Sequence, residues 1–301
     1  MHRFTLKGFE HTVRIEGPSS GSPVLLLHGF PDSHKLFDKQ VPALVAAGHR
    51  VIVPDLLGFG DSAKPQEVEP YQLDSLVGIM VDLLDQLGIE QVAVVGHDWG
   101  SALAWHMAMS APTRVSKLAA LSVGSLGTYF ATGDLMESMR QRTMSWYMLW
   151  FQFKPAVEEA LSANDYAMLS VFGEPPEQTA LWKADLSRPG ALTAALNWYR
   201  ANIKPEAFGV FEPLELPILQ IPVLGVYRDE AYCSEAQMKA SERYVAPGLW
   251  TYKKLSGFGH FIPREAADEL NPLLVDFLAG TGGKGAAHAA AVADGTIAVE
   301  P

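Results

Sequence analysis

A chain of 301 residues with 48% apolar and 19% charged residues can bury one large α/β core carrying an insertion, or two domains, and is not a disordered segment. Lys plus Arg number 23 against 34 Asp plus Glu, a formal charge of −11, which leaves no basic stripe for nucleic acid and disfavours long-range capture of anions. The single cysteine, Cys233, excludes an internal disulfide and a cysteine-based zinc cluster.

No apolar leader core follows Met1-His2-Arg3-Phe4, and no stretch reaches the length of a membrane span. The expectation is a cytoplasmic protein, monomeric or homodimeric, with no membrane partner. Residues 4–9 and 11–16 read as a strand pair ahead of the turn at 17–21. Residues 24–27 are a continuous apolar run, as in a strand buried on both faces. A helix over 36–47, a strand over 50–54 and a helix over 73–87 follow, the last with apolar residues at helical spacing. Next come a strand at 91–95, a helix near 100–109 and a strand at 115–123. This alternation predicts a mostly parallel sheet covered on both faces.

After Ser125 the alternation stops. Between about 130 and 211, aromatic-rich helical stretches at 136–153, 155–163, 177–185 and 190–201 replace strands. It resumes with a strand at 222–227, a helix at 234–245, a strand at 249–255 and a helix at 264–278. The predicted organisation is a core in two pieces, 1–128 and 216–280, with a helical cap at 129–215. Such a cap lies over the strand C-terminal ends, where open α/β sheets place their sites. The Gly- and Ala-rich stretch 281–301 reads as a flexible tail with a solvated His288.

Gly96-His97-Asp98-Trp99-Gly100 lies between an apolar strand and an apolar helix. That is the setting of the G-x-S-x-G nucleophile elbow, with Asp where Ser stands. A serine that displaces at saturated carbon makes an ether, a dead end, whereas a carboxylate makes an ester that water can cleave. Asp98 therefore points to displacement at sp³ carbon, by epoxide opening or carbon–halogen cleavage. The plainer reading makes Asp98 an N-cap of the following helix. Gly257-Phe258-Gly259-His260-Phe261 follows the last predicted strand and keeps the order nucleophile, acid, histidine, with His260 as the base that takes a proton from water. His28-Gly29-Phe30-Pro31 can turn the Phe30 amide toward the elbow, and the Trp99 amide can supply a second oxyanion donor.

At these residues the chain resembles the α/β-hydrolase fold and, within it, the epoxide hydrolases and their haloalkane dehalogenase relatives. The matching strings are HGFPDS at 28–33, PDLLGFGDS at 54–62, GHDWGSALAWHMA at 96–108, NWYR at 197–200 and GFGHF at 257–261, and the resemblance runs to about residue 280. It implies Asp98 as nucleophile, His260 as base and the Phe30 and Trp99 amides as oxyanion donors. The acid that orients His260 is implied just after the 222–227 strand, where Asp229 and Glu230 both stand. Counting from the strand favours Asp229, counting back from Met238 favours Glu230, and Asp229 is preferred as the commoner type. Relatives that open epoxides present two cap tyrosines to the oxygen. NWYR puts Tyr199 as one. The register puts Trp150 at the other, with Tyr147 one turn earlier able to compensate. His28, Trp99, Tyr147 and Trp150 are expected to line the substrate site, and the aromatic cap (Trp146, Phe151, Phe153) to give it apolar walls.

The resemblance thus implies an epoxide hydrolase acting on a small apolar epoxide and water, with no metal or organic cofactor. The alternative with the same nucleophile is a haloalkane dehalogenase with Trp99 and Trp150 as halide donors. Phe30 stands where another dehalogenase pattern has Asn, and Trp99 stands where haloacid enzymes carry Arg. The alternative of another class is a ligand-binding protein without catalysis. Asp55 and Asp61 read as loop-fixing groups and His97 as a structural hydrogen-bonder, while His34 and His106 receive no partner.

Overall fold

The computed structural model describes residues 1–280. The chain runs through β1 (His2–Leu6), β2 (Phe9–Glu16), β3 (Ser22–Leu27), α1 (Gln40–Ala46), β4 (His49–Pro54), α2 (Leu73–Gln86), β5 (Val92–His97), α3 (Trp99–Ser110) and β6 (Val115–Leu121). Between β6 and the next strand lie α4 (Leu126–Tyr129), α5 (Leu135–Met144), α6 (Trp146–Trp150), α7 (Ala156–Tyr166), α8 (Pro176–Leu186) and α9 (Ala191–Asn202). Then come β7 (Val223–Asp229), α10 (Glu235–Ala240), β8 (Trp250–Phe258), α11 (Ile262–Glu265) and α12 (Ala267–Ala279). The sheet order is β1-β2-β4-β3-β5-β6-β7-β8, antiparallel at β1/β2 and β2/β4 and parallel elsewhere. It is a mostly parallel sheet flanked by helices, with an inserted helical cap.

The central strands are buried on both faces, so they carry apolar residues without alternation, as at Val24–Leu27 and Val92–Val95. The apolar stripe of α2 (Leu76, Val77, Met80, Leu83, Leu84) faces the core at helical spacing. Helix α3 is buried on nearly every side, and its small Ala102, Ala104 and Ala108 let it lie close to the sheet. Four predicted helices divide, and among them residues 234–245 become α10 and a 3₁₀ turn at Ser241–Tyr244. Residues 36–47 become a 3₁₀ turn at His34–Phe37 and then α1, since Pro42, which has no amide hydrogen, fits only a first helical turn. Residues 136–153 divide at Ser145, whose hydroxyl accepts from Gln141 Nε2 at 2.8 Å and donates to Tyr129 Oη at 3.3 Å. Residues 264–278 divide at Ala266, which leaves helical geometry (φ −125°, ψ 32°).

The cap is tied to the core by hydrogen bonds from α9. Trp198 Nε1 donates to the Leu57 carbonyl at 2.9 Å, and Asn197 Nδ2 donates to Gln66 O at 3.1 Å and Glu67 O at 3.2 Å. Asn202 Oδ1 accepts from the Leu73 amide at 3.0 Å, capping α2 from outside its own chain segment. These bonds fix α9, and with it Tyr199, over the strand ends. No helix among the described residues is long and apolar enough to cross a membrane. The predicted tail at 281–301, with His288, lies outside the described residues.

Candidate active site

Asp98 stands between β5 and α3 with φ 55° and ψ −122°, a strained conformation for a residue with a side chain. The turn is tight enough that a Cβ on Gly100 would strike the Leu27 carbonyl, and one on Gly29 would strike the Asp98 carboxylate. The carboxylate makes no cap bond to α3, so the N-cap reading does not hold. It turns instead to the loop after β3, where Oδ1 accepts the Phe30 amide at 2.9 Å.

The other oxygen, Oδ2, is 3.5 Å from His260 Nε2. His260 Nδ1 is 2.5 Å from Glu230 Oε2, and the Glu230 side chain is fully buried. The acid beside the histidine is therefore Glu230, which corrects the preference for Asp229. Strand β7 runs two residues past its predicted end, to Asp229, and successive side chains point to opposite faces. Asp229 faces solvent and pairs with Lys254 at 2.8 Å, while Glu230 turns inward.

Charges in this line act on one another. Burial works against the His260 cation, but Glu230 and Asp98 outweigh it and raise the imidazole pKa to about 10. Burial works against the Asp98 anion too, and the His260 hydrogen bond and charge, helped by the Trp99 amide, hold its carboxyl below the usual range. Burial pushes the Glu230 carboxyl up, against the pull of His260. The His260 carbonyl accepts from His97 Nε2 at 2.8 Å and Ser122 Oγ at 3.0 Å. Burial lowers His97 to about 3, so it is a neutral donor. Ser122 carried no signal in the sequence; its left-handed backbone (φ 66°) at the end of β6 aims it at this carbonyl.

A cavity of about 430 Å³ lies between core and cap, lined by Phe30, Asp98, Tyr147, Trp150, Tyr199 and His260 among others. The Tyr147 and Tyr199 rings meet edge-on at 6.0 Å. Burial and then the Asp98 charge drive the Tyr199 phenol well above its usual range, and burial does the same to Tyr147. Both are neutral donors at ordinary pH. Trp150 lines the cavity but stacks on exposed Trp146 (6.0 Å, 25°), so the phenol beside Tyr199 is Tyr147, not a group at position 150. The Trp99 ring packs on Tyr199 at 5.0 Å and Trp198 at 5.9 Å, outside the large cavity's lining.

His28 is a second correction to the substrate-lining set. It is fully buried, its Nδ1 bonds the Gly29 carbonyl at 3.1 Å, and its Nε2 accepts the Leu56 amide at 3.0 Å. Burial lowers it to about 4, as that accepting role requires. Asp55 fixes its loop through the His34 and Asp61 amides, and His34 Nδ1 is 2.7 Å from it. Asp61 pairs with Arg188, and His106 with Asp74. Glu230, Cys233 and His260 bring possible metal-ligand atoms within 4.8 Å of one another. Glu230 and His260 are already bonded to each other, and the Cys233 thiol lies 3.5 Å from Tyr129 Oη, so the cluster reads as a hydrogen-bonded set.

The alpha/beta hydrolase fold family matches residues 22–203 of this chain. The AB hydrolase superfamily protein YfhM of Bacillus subtilis is 32% identical over 276 residues, covering 88% of this chain and 93% of that protein. Epoxide hydrolase 2 of Siraitia grosvenorii is 31% identical over 304 residues, covering 88% and 94%. A solved structure of a novel epoxide hydrolase of the alpha/beta hydrolases superfamily, from metagenomes of hot environments, is 30% identical with a TM-score of 0.80, over 93% of this chain and 98% of its own.

Proposed function

The chain belongs to the α/β-hydrolase-fold family, in its epoxide hydrolase branch, and from that membership we propose that it converts apolar epoxides to vicinal diols through an ester on Asp98. The observation that carries the reading is the pair of phenols, Tyr147 and Tyr199, on the cavity that holds Asp98. A departing epoxide oxygen needs a proton, and a phenol can give one. In this reading residues 129–215 close the site as a cap, and 1–128 with 216–280 form the core.

In the first step Asp98 Oδ2 attacks a ring carbon, the ring C–O bond breaks, and the oxygen takes the Tyr199 proton with Tyr147 hydrogen-bonded beside it. Tyr199 recovers a proton from the His260 imidazolium through water. Oδ1 is already held by the Phe30 amide, so Oδ2, 3.5 Å from His260 Nε2, is the oxygen that attacks. Alkylation turns the Asp98 anion into a neutral ester. One of the two charges that raise the His260 pKa is then gone, and the imidazole is freed to act as a base. In the second step His260 takes a proton from water, and the hydroxide attacks the ester carbon. The Phe30 and Trp99 amides hold the oxyanion. Collapse expels the diol oxygen, which takes the proton back from His260, and the Asp98 acid then returns its own proton to His260.

Incubation with styrene oxide and, separately, with a bromoalkane tests the class. Diol without bromide is the expected result. Bromide without diol overturns it in favour of halide displacement, and neither product in favour of ligand binding. A single turnover in heavy-oxygen water tests the path, because the water oxygen must appear in the peptide that contains Asp98. Diol formed without that label overturns the ester.

A further inference from the structure

Gln141 stands in the last turn of α5, and its polar side chain is fully buried. A buried amide is stable only where its donors and acceptor are met. Nε2 donates to Ser145 Oγ at 2.8 Å and to the Tyr232 carbonyl at 3.0 Å, and Oε1 accepts the Ser234 amide at 2.7 Å. The first bond stays within the cap. The other two cross to the core.

The crossing bonds hold the loop that carries the acid. Residues 230–234 join β7 to α10 and form neither strand nor helix, so their backbone groups have no ladder to enter. The Gln141 amide meets a carbonyl and, two residues on, an N–H, as the edge of a neighbouring strand would. Ser234 makes no side-chain cap bond of its own to α10. From β7, Tyr227 Oη holds the same loop by the Cys233 carbonyl at 3.1 Å, while Gln141 holds it from the cap. The bond inside the cap acts on the phenol. Ser145 is the bend between α5 and α6, and Tyr147 follows it by two residues. Ring contacts close the circuit, since Tyr232 meets the Tyr147 ring edge-on at 6.0 Å and the His260 ring at 5.5 Å.

We propose that Gln141 is a positioning residue for both chemical steps, setting Tyr147 for ring opening and Glu230, behind His260, for ester hydrolysis. The inference rests on the function proposed above. Gln141 does not line the cavity, so its effect travels through the two groups it holds. A displacement of about 1 Å at a reacting group can cost about a hundredfold in rate. An amide that merely filled the interior would, on removal, lower stability and leave both rates alone.

The test is Gln141→Met, which keeps the bulk of the side chain and removes all three bonds. Alkylation of Asp98 by saturating styrene oxide, and release of the ester, are followed separately by rapid quenching and mass measurement. Both rates are expected to fall by about tenfold or more. Partner variants separate positioning from packing. In a Glu230→Gln background, Gln141→Met should slow release by less than about twofold further and still slow alkylation; in a Tyr147→Phe background the pattern should reverse. Either rate within about threefold of wild type in the folded single variant overturns the assignment and leaves epoxide hydrolysis standing. Equal slowing in every background, the mark of general loosening, does the same. Neither alkylation nor diol from the wild type overturns both readings. Should Gln141→Met not stay folded, Gln141→Glu, which keeps an acceptor for the Ser234 amide, takes its place under the same criteria.

Discussion

Replacing Glu230 with Gln keeps the shape of the side chain but removes the charge that holds the His260 imidazolium at 2.5 Å. Hydrolysis of the ester should slow by about 10³–10⁴, as when the carboxylate behind a catalytic histidine is lost. Attack by Asp98 persists, so the alkylated protein should accumulate as a mass increase after mixing with substrate. Asp229→Asn removes only an exposed pair with Lys254, which water screens, and should change turnover less than about twofold. The reverse pattern would return the acid to Asp229. At this scale the sequence was legible where a motif fixes the count of residues, as at Asp98, His260 and Phe30. It was not legible where the count ran from an element end. Two extra residues of β7 decide between Asp229 and Glu230, and the face of the five-residue helix α6 decides between Tyr147 and Trp150. Position 28 misled for another reason, since a histidine in the loop that meets Asp98 can serve the loop rather than the substrate.

Helix α11 begins two residues after His260 and carries Arg264, whose guanidinium joins core to cap. It reaches Asp32 Oδ2 at 2.6 Å and Glu174 Oε2 at 2.8 Å, both nearly fully buried, and lies over the Phe261 and Trp182 rings. Burial pushes the Asp32 carboxyl up, and Arg264 is the main counterweight. Arg264→Met would leave two buried carboxylates without their cation, at a cost of roughly 3–5 kcal/mol in urea unfolding. Adding Asp32→Asn should recover part of the loss. A single variant within 1 kcal/mol of wild type would mean that water already screens the site. Elements with long apolar runs or a clear stripe, such as β3, β5 and α2, were readable because burial itself writes the pattern. The breaks at Ser145 and Ala266 were not, because the bonds that stop the helices come from residues far along the chain or from local geometry, not from Gly or Pro.

For the whole molecule, the buried charges of the site set how stability depends on pH. The folded pKa of His260 is raised to about 10 against 6.5 for a free imidazole. Its contribution is therefore complete below about pH 6.5 and is lost as pH rises through 10. Asp98 has the opposite sign. Its folded pKa is depressed, so its contribution is present above the ordinary carboxylate range and disappears as pH falls through the lowered value. Thermal unfolding of the wild type between pH 7 and 10 should thus show a steeper fall in Tm than that of His260→Gln. Parallel curves would mean that the imidazole is not held as a cation in the folded state. The fold itself, a parallel sheet interrupted by helices, was readable from alternation alone, whereas this charge economy depends on groups from β5, β7 and the loop after β8 meeting in three dimensions.

The cavity that holds Asp98 together with Tyr147 and Tyr199 has a stereochemical consequence. A carboxylate, a pair of phenols and apolar walls are three unlike contacts around one bound ring. Mirror-image epoxides cannot satisfy all three at once. The site is therefore handed, and a racemic mixture should leave it resolved, one antipode consumed while the other persists.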